Sequence, residues 1–187
     1  MGIRLKTLIL SSLFLFAGFS LSFSGERLKV GDDIPKFFLK DINGNNFFLN
    51  EYIGDTSKKN VNGMLFSFFA SYCKPCIKEV PEIEKLQEKY KDKGFVVYLI
   101  NEGENVELAN KFLKQVNTKL PVLMDKYLVL NKLIGNPGVP HIVLINKAGK
   151  VKFVSSGFGD EKSDEILRKL ENEIMGVLGI APGNSSN

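Results

Sequence analysis

The chain has 187 residues, of which 44% are hydrophobic and 25% charged, with a formal net charge of +4. That is the length and composition of one globular domain. The opposite charges alternate along the helical stretches and form no basic stripe, which excludes a nucleic-acid binder. Two cysteines in total exclude a scaffold of structural disulfides.

Arg4 and Lys6 precede an uncharged run over residues 7–23, and Ser22-Phe23-Ser24 offers small residues at −3 and −1 of a cleavage point. The run falls between the apolar segment of a secretory signal and a spanning helix of about 20 residues. Residues 1–24 therefore read as a signal peptide, with an uncleaved membrane anchor as the alternative. Either way the basic end stays inside and the domain, residues 25–180, goes out. No cysteine lies near this end, so a lipoprotein is excluded.

Residues 29–35 lead into Phe37-Phe38-Leu39, then Asn43-Gly44, a strong hairpin signal, and the returning Phe47-Phe48-Leu49. Residues 51–62 are polar and form a surface connection. Met64-Leu65-Phe66-Ser67-Phe68-Phe69 is short, apolar and aromatic, as a buried strand would be. Ile77, Val80, Ile83, Leu86 and Tyr90 then recur every three or four residues, giving a helix over 74–93 that stops at Gly94. The continuous apolar run Phe95-Val96-Val97-Tyr98-Leu99-Ile100 predicts a parallel strand covered on both faces. Asn105 caps a second helix with Ala109, Phe112, Leu113 and Val116 on its core side. A strand over 120–125 and a short helix over 127–134 follow. Strands 141–146 and 150–155 are joined through Lys147-Ala148-Gly149-Lys150, and a last helix over 163–177 buries Ile166, Leu167, Leu170 and Ile174. Residues 181–187 are small and polar and read as a disordered tail. This order, joined by right-handed crossovers, predicts an α/β fold: a mixed central sheet with helices on both faces, and a site at the carboxyl end of a parallel strand.

The two cysteines, Cys73 and Cys76, stand where the strand hands over to the first helix, and Pro75 suits a first turn that needs no backbone donor. A thiol at a helix N-terminus is favoured as thiolate by the unpaired N–H groups and the macrodipole, and Lys74 adds a positive charge. Cys-x-x-Cys thiols so placed fall from about 8.5 to roughly 3.5–7.5. Cys73 is thus the candidate nucleophile. Cys76, less than a turn further and expected to be buried, is the candidate resolver of a mixed disulfide. A structural staple is the weaker alternative, because so short a loop restrains little of the unfolded chain. A four-ligand zinc site is weaker too, since the chain holds one histidine and no third cysteine.

This stretch resembles the thioredoxin superfamily, and in detail its TlpA/ResA type of exported thiol-disulfide oxidoreductase. The match covers about residues 29–175. Pro81, five residues after Cys76, resembles the family's helix-kinking proline, and Gly138-Val139-Pro140 before the strand resembles its cis-proline loop. The resemblance implies a thioredoxin fold with an N-terminal β-hairpin and a central α/β insertion. It implies a cis Pro140 whose ring covers the disulfide, and a Val139 backbone able to pair with an extended client. Tyr72, Lys74, Pro75 and Val139 would then be substrate-binding. It also implies that Glu79 moves protons to and from the cysteines. Read from the residues alone, Glu79 is as well explained as an exposed charge on a lysine-rich helix, and Ser67 stands where thioredoxin has its own buried acid. Tyr72 and Phe69 replace the tryptophans usual before the cysteines, and His141 stands where threonine is commoner.

The expected function is reduction of disulfides in specific partner proteins through a Cys73–Cys76 dithiol/disulfide cycle, outside the cytoplasm. No other cofactor and no metal are expected, and a membrane or periplasmic donor would supply electrons. The direction rests on Pro75, which resembles reducing members; cytochrome c maturation is the commonest role of such relatives. The rival from another class is a Cu(I) metallochaperone holding the ion by Cys73, Cys76 and His141. His141 is otherwise a strand-end hydrogen-bonding group or a proton carrier.

Overall fold

The computed structural model of the chain describes residues 26–55, 57–156 and 163–181. The expected signal or anchor, residues 1–24, and the tail beyond Ala181 lie outside the described residues. Among the described residues no helix is long and apolar enough to cross a membrane.

The elements follow the order expected from the sequence. They are β1 (Phe38–Asp41), β2 (Asn46–Phe48), β3 (Gly63–Phe69), α1 (Lys74–Tyr90), β4 (Phe95–Glu102), α2 (Val106–Val116), β5 (Val122–Asp125), α3 (Val129–Leu133), β6 (His141–Asn146), β7 (Val151–Ser156) and α4 (Ser163–Val177). One seven-stranded sheet has the order β2-β1-β5-β4-β3-β6-β7. The β3–β4 and β4–β5 pairs are parallel, and β1–β2, β1–β5, β3–β6 and β6–β7 are antiparallel. The amino-terminal hairpin thus extends the sheet beyond β5. Its turn is closed by Asp41, whose carboxylate accepts the N–H groups of Asn43 and Asn45 at 2.9 and 2.8 Å, and Gly44 supplies the positive φ of 88°.

Alternation along the central strands sorts side chains into two layers. Leu65 and Phe69 of β3 and Phe95, Val97 and Leu99 of β4 pack on one face against Val80, Ile83 and Leu86 of α1, Ala109 and Phe112 of α2, and Leu170 and Ile174 of α4. Met64, Phe66 and Phe68 with Ile100 pack on the other face against Leu130 and Ile134 around α3 and against the amino-terminal Leu28 and Ile34. Among the described residues helices therefore cover both faces, three against one. Ile83, fully buried at the centre of the first layer, is a direct probe of it. Ile83→Ala should cost about 2–5 kcal/mol, read as a lowered urea midpoint at unchanged m.

Helix α1 stops as its sequence demands. A 3-10 turn over Lys91–Lys93 ends on Gly94 at φ 77°, a left-handed position that glycine adopts without strain. Asn105 caps α2, its side chain accepting the N–H of Leu108 at 3.0 Å. Parallel β3, β4 and β5 end at one edge of the sheet, and antiparallel β6 begins there. The two cysteines follow β3 at that edge, and Pro140 precedes β6 there.

Candidate active site

Cys73 is the N-cap of α1, with extended backbone (φ −77°, ψ 92°), and Cys76 is on the first turn. They form a disulfide with S–S 1.96 Å and Cα–Cα 5.4 Å. Cys73 is 4% exposed and Cys76 0%, so the order of accessibility is the expected one but the margin is small. Pro75 has no N–H, the N–H of Cys76 donates to the Cys73 carbonyl at 3.2 Å, and the Cys73 side chain makes no capping hydrogen bond. In this disulfide form the terminus bears on Cys73 through its field, with no side-chain capping hydrogen bond.

The residues expected to meet a client surround this disulfide. Tyr72 is 74% exposed, and Lys74 and Pro75 are exposed beside it. The Val139–Pro140 bond is cis, as the resemblance implies. Half-buried Val139 packs against both layers, the one that contains the two cysteines and the one on the other face of the sheet.

Glu79 is not the exposed charge that the lysine-rich helix allowed. It is 1% exposed, and Ser67 Oγ donates to its Oε1 at 2.8 Å. The sheet explains both facts. Ser67 lies between Leu65 and Phe69 on the face that receives α1, so the hydroxyl on the strand and the carboxyl on the helix meet in the layer that holds the disulfide. Burial raises the Glu79 carboxyl to about 7, with the Ser67 hydrogen bond opposing it. A carboxyl poised near neutrality beside a thiol pair can exchange protons with it.

His141 is placed elsewhere. It is buried, its Nδ1 lies 3.0 Å from Ser156 Oγ, and its ring packs 5.6 Å from that of Phe68. Phe68 belongs to the second layer, and both cysteines to the first. The sheet thus separates His141 from the thiols with which the copper reading grouped it. Burial lowers the imidazole to about 4, with Arg27 nearby acting in the same direction, so the ring is neutral and paired at a strand end.

Two acidic residues escaped the reading of the sequence. Glu104, after β4, accepts Ser71 N–H at 2.8 Å, Ser71 Oγ at 2.5 Å and Asn101 Nδ2 at 2.7 Å, tying that loop to the one before Cys73. Glu102, the last residue of β4, accepts from Asn131 Nδ2 at 2.9 Å and from Asn136 Nδ2. Their one visible signal is two acids, two residues apart, at the end of an apolar strand.

Comparison with known proteins agrees with this geometry. The sequence profile of the Redoxin family matches residues 29–170. A thiol-disulfide oxidoreductase ResA of Bacillus cereus is 32% identical over 165 residues, covering 87% of this chain and 91% of that protein. A ResA of Halalkalibacterium halodurans is 28% identical over 173 residues, covering 91% and 94%. A crystal structure from Chlorobium tepidum, assigned as a thiol:disulfide interchange protein DsbE, superposes with TM-score 0.69 at 32% identity, covering 81% of this chain and 99% of that one.

Proposed function

The chain belongs to the Redoxin family and is a thiol-disulfide oxidoreductase, and we propose that it works outside the cytoplasm as a reductant of disulfides in particular partner proteins. The observation that carries this reading is the Cys73–Cys76 disulfide at the N-terminus of α1, with buried Glu79 in the same layer. In the reduced form Cys73 thiolate attacks a client disulfide. A bond forms between Cys73 Sγ and one client sulfur, and the other client sulfur leaves as thiolate and takes a proton. Cys76 then loses its proton to Glu79 and attacks Cys73 Sγ. The second client thiolate departs and the intramolecular disulfide returns. The client gains two electrons, and an external dithiol restores the protein.

Nothing else needs to be bound for this cycle. Pro140 and the Val139 backbone offer an extended client an edge beside the sulfurs, with Tyr72, Lys74 and Pro75 on its other side. Export rests on the basic start and uncharged run of residues 1–24, and the electron donor is then a membrane or periplasmic dithiol protein.

Incubating the purified protein with a peptide disulfide and a dithiol reductant tests the reading. Multiple turnovers should occur, with Cys73 and Cys76 cycling between thiol and disulfide on alkylation mass shifts. No turnover, together with stoichiometric Cu(I) binding lost in His141→Ala, would establish the metallochaperone instead.

A further inference from the structure

Glu102 ends β4 with its side chain in the second layer, away from the disulfide. A buried carboxylate is costly to keep at the end of an otherwise apolar strand, and its partners among the described residues are amides. Glu102 accepts from Asn131 Nδ2 at 2.9 Å and from Asn136 Nδ2, and Asn136 Oδ1 in turn accepts the N–H of Gly138 at 3.0 Å. One chain of side-chain hydrogen bonds therefore runs from the end of a central strand to the residue two before Pro140.

The far end of that chain needs holding. Gly138 sits at φ 127°, and a Cβ built there would meet nothing within 4 Å. Its glycine is required by the torsion and not by crowding; Val139 and Pro140 are packed on the C-terminal side of the turn, and Gly138 itself is held by its hydrogen bond to Asn136. A glycine in open space has the widest choice of backbone conformations. The hydrogen bond from Gly138 N–H to Asn136 narrows that choice, and Glu102 orients Asn136.

We propose that Glu102 is a positioning residue for client binding: acting through Asn136, it holds the Gly138–Val139 backbone where an extended peptide carrying a disulfide pairs with it. This rests on the reading of that loop as the client's edge. It assigns Glu102 a part in affinity for polypeptide and none in the sulfur chemistry. A small disulfide without a peptide backbone gains nothing from an ordered loop.

The experiment compares reduction of a strand-length peptide bearing a mixed disulfide with reduction of hydroxyethyl disulfide. Glu102→Ala and Asn136→Ala should each raise KM for the peptide about tenfold, the loss of a hydrogen bond or two. Both should leave kcat and the small-disulfide rate within about twofold. The double variant should be no worse than either single one, because both cut the same chain. Glu102→Gln, which keeps an acceptor oxygen, should restore the parent KM. Asn131→Ala, which cuts only the branch to α3, should leave KM near the parent's. Should Glu102→Ala fail to fold, Asn136→Ala reads the same link. An unchanged peptide KM in the folded variants, or equal loss on both substrates, would overturn the positioning role while leaving the exchange activity intact. A parent that reduces neither substrate would overturn the exchange reading and this inference with it.

Discussion

Cys76→Ala should arrest the reaction halfway. Attack by Cys73 still forms the mixed disulfide, but no second thiol remains to release it, so covalent complexes with clients should accumulate on non-reducing gels. Cys73→Ala should trap little and lose about a thousandfold or more of turnover, because the sulfur left behind is the wholly buried one. The asymmetry follows from position. Cys73 caps the helix, next to exposed Lys74 and Pro75, and Cys76 lies on the first turn facing the core. Complexes recovered from Cys76→Ala identify the client by mass. Apocytochrome c among them would specify the maturation role, and a broad set of exported proteins a general reductase. Equal trapping by both variants, or by neither, would overturn the assignment of nucleophile and resolver.

The order of elements was legible because its signals are local. Asn43-Gly44, Asn105, Gly94 and the three-to-four spacing of apolar residues each act within a few residues, and helix α4 falls on Ser163–Val177 as its periodicity predicts. Helix α3 shows where local reading slips. Its expected start at 127 moves to Val129, because Leu128 adopts a left-handed φ of 56° and Asp125 takes over the cap, accepting the N–H groups of Val129 and Asn131 at 2.7 and 2.8 Å. The cysteine pair and Pro140 were legible as motifs. Glu79 was half legible: its helical spacing from Cys76 is local, but its burial comes from the sheet, and its hydrogen-bond partner Ser67 lies twelve residues earlier on a strand. The roles of Glu102 and Glu104 in tying these segments together were not legible, since their partners lie up to 34 residues away and meet only in the folded sheet. The neutrality of His141 likewise follows from burial that no local pattern announces.

Glu79→Gln should change both the pH dependence of exchange and that of stability. In the parent, Glu79 titrates near 7, so thiol exchange should show a step there. The variant should lose that step and react more slowly, by about a hundredfold for a lost general acid-base group. Identical rates and profiles from pH 5 to 9 would return Glu79 to a purely structural part. The stability effect has a definite sign. The folded value of Glu79 is raised from 4.5 to about 7, so its contribution is fully present below pH 4.5 and lost as pH rises through 7. His141 is lowered from 6.5 to about 4, so its contribution is present above pH 6.5 and lost as pH falls through 4. At about 1.4 kcal/mol per pH unit, each amounts to about 3.5 kcal/mol in full. Between pH 4.5 and 6.5 the native state holds an extra proton on Glu79 and the unfolded state an extra one on His141, and the two slopes cancel. Glu79→Gln unmasks the histidine: relative to the parent, its urea midpoint should rise as pH goes from 4.5 to 7. His141→Asn should do the opposite over pH 4 to 6.5, its midpoint falling relative to the parent. A Glu79→Gln midpoint that runs parallel to the parent's across this range would mean that Glu79 is ionised in the native state, and the proton transfer assigned to it would fail with that result.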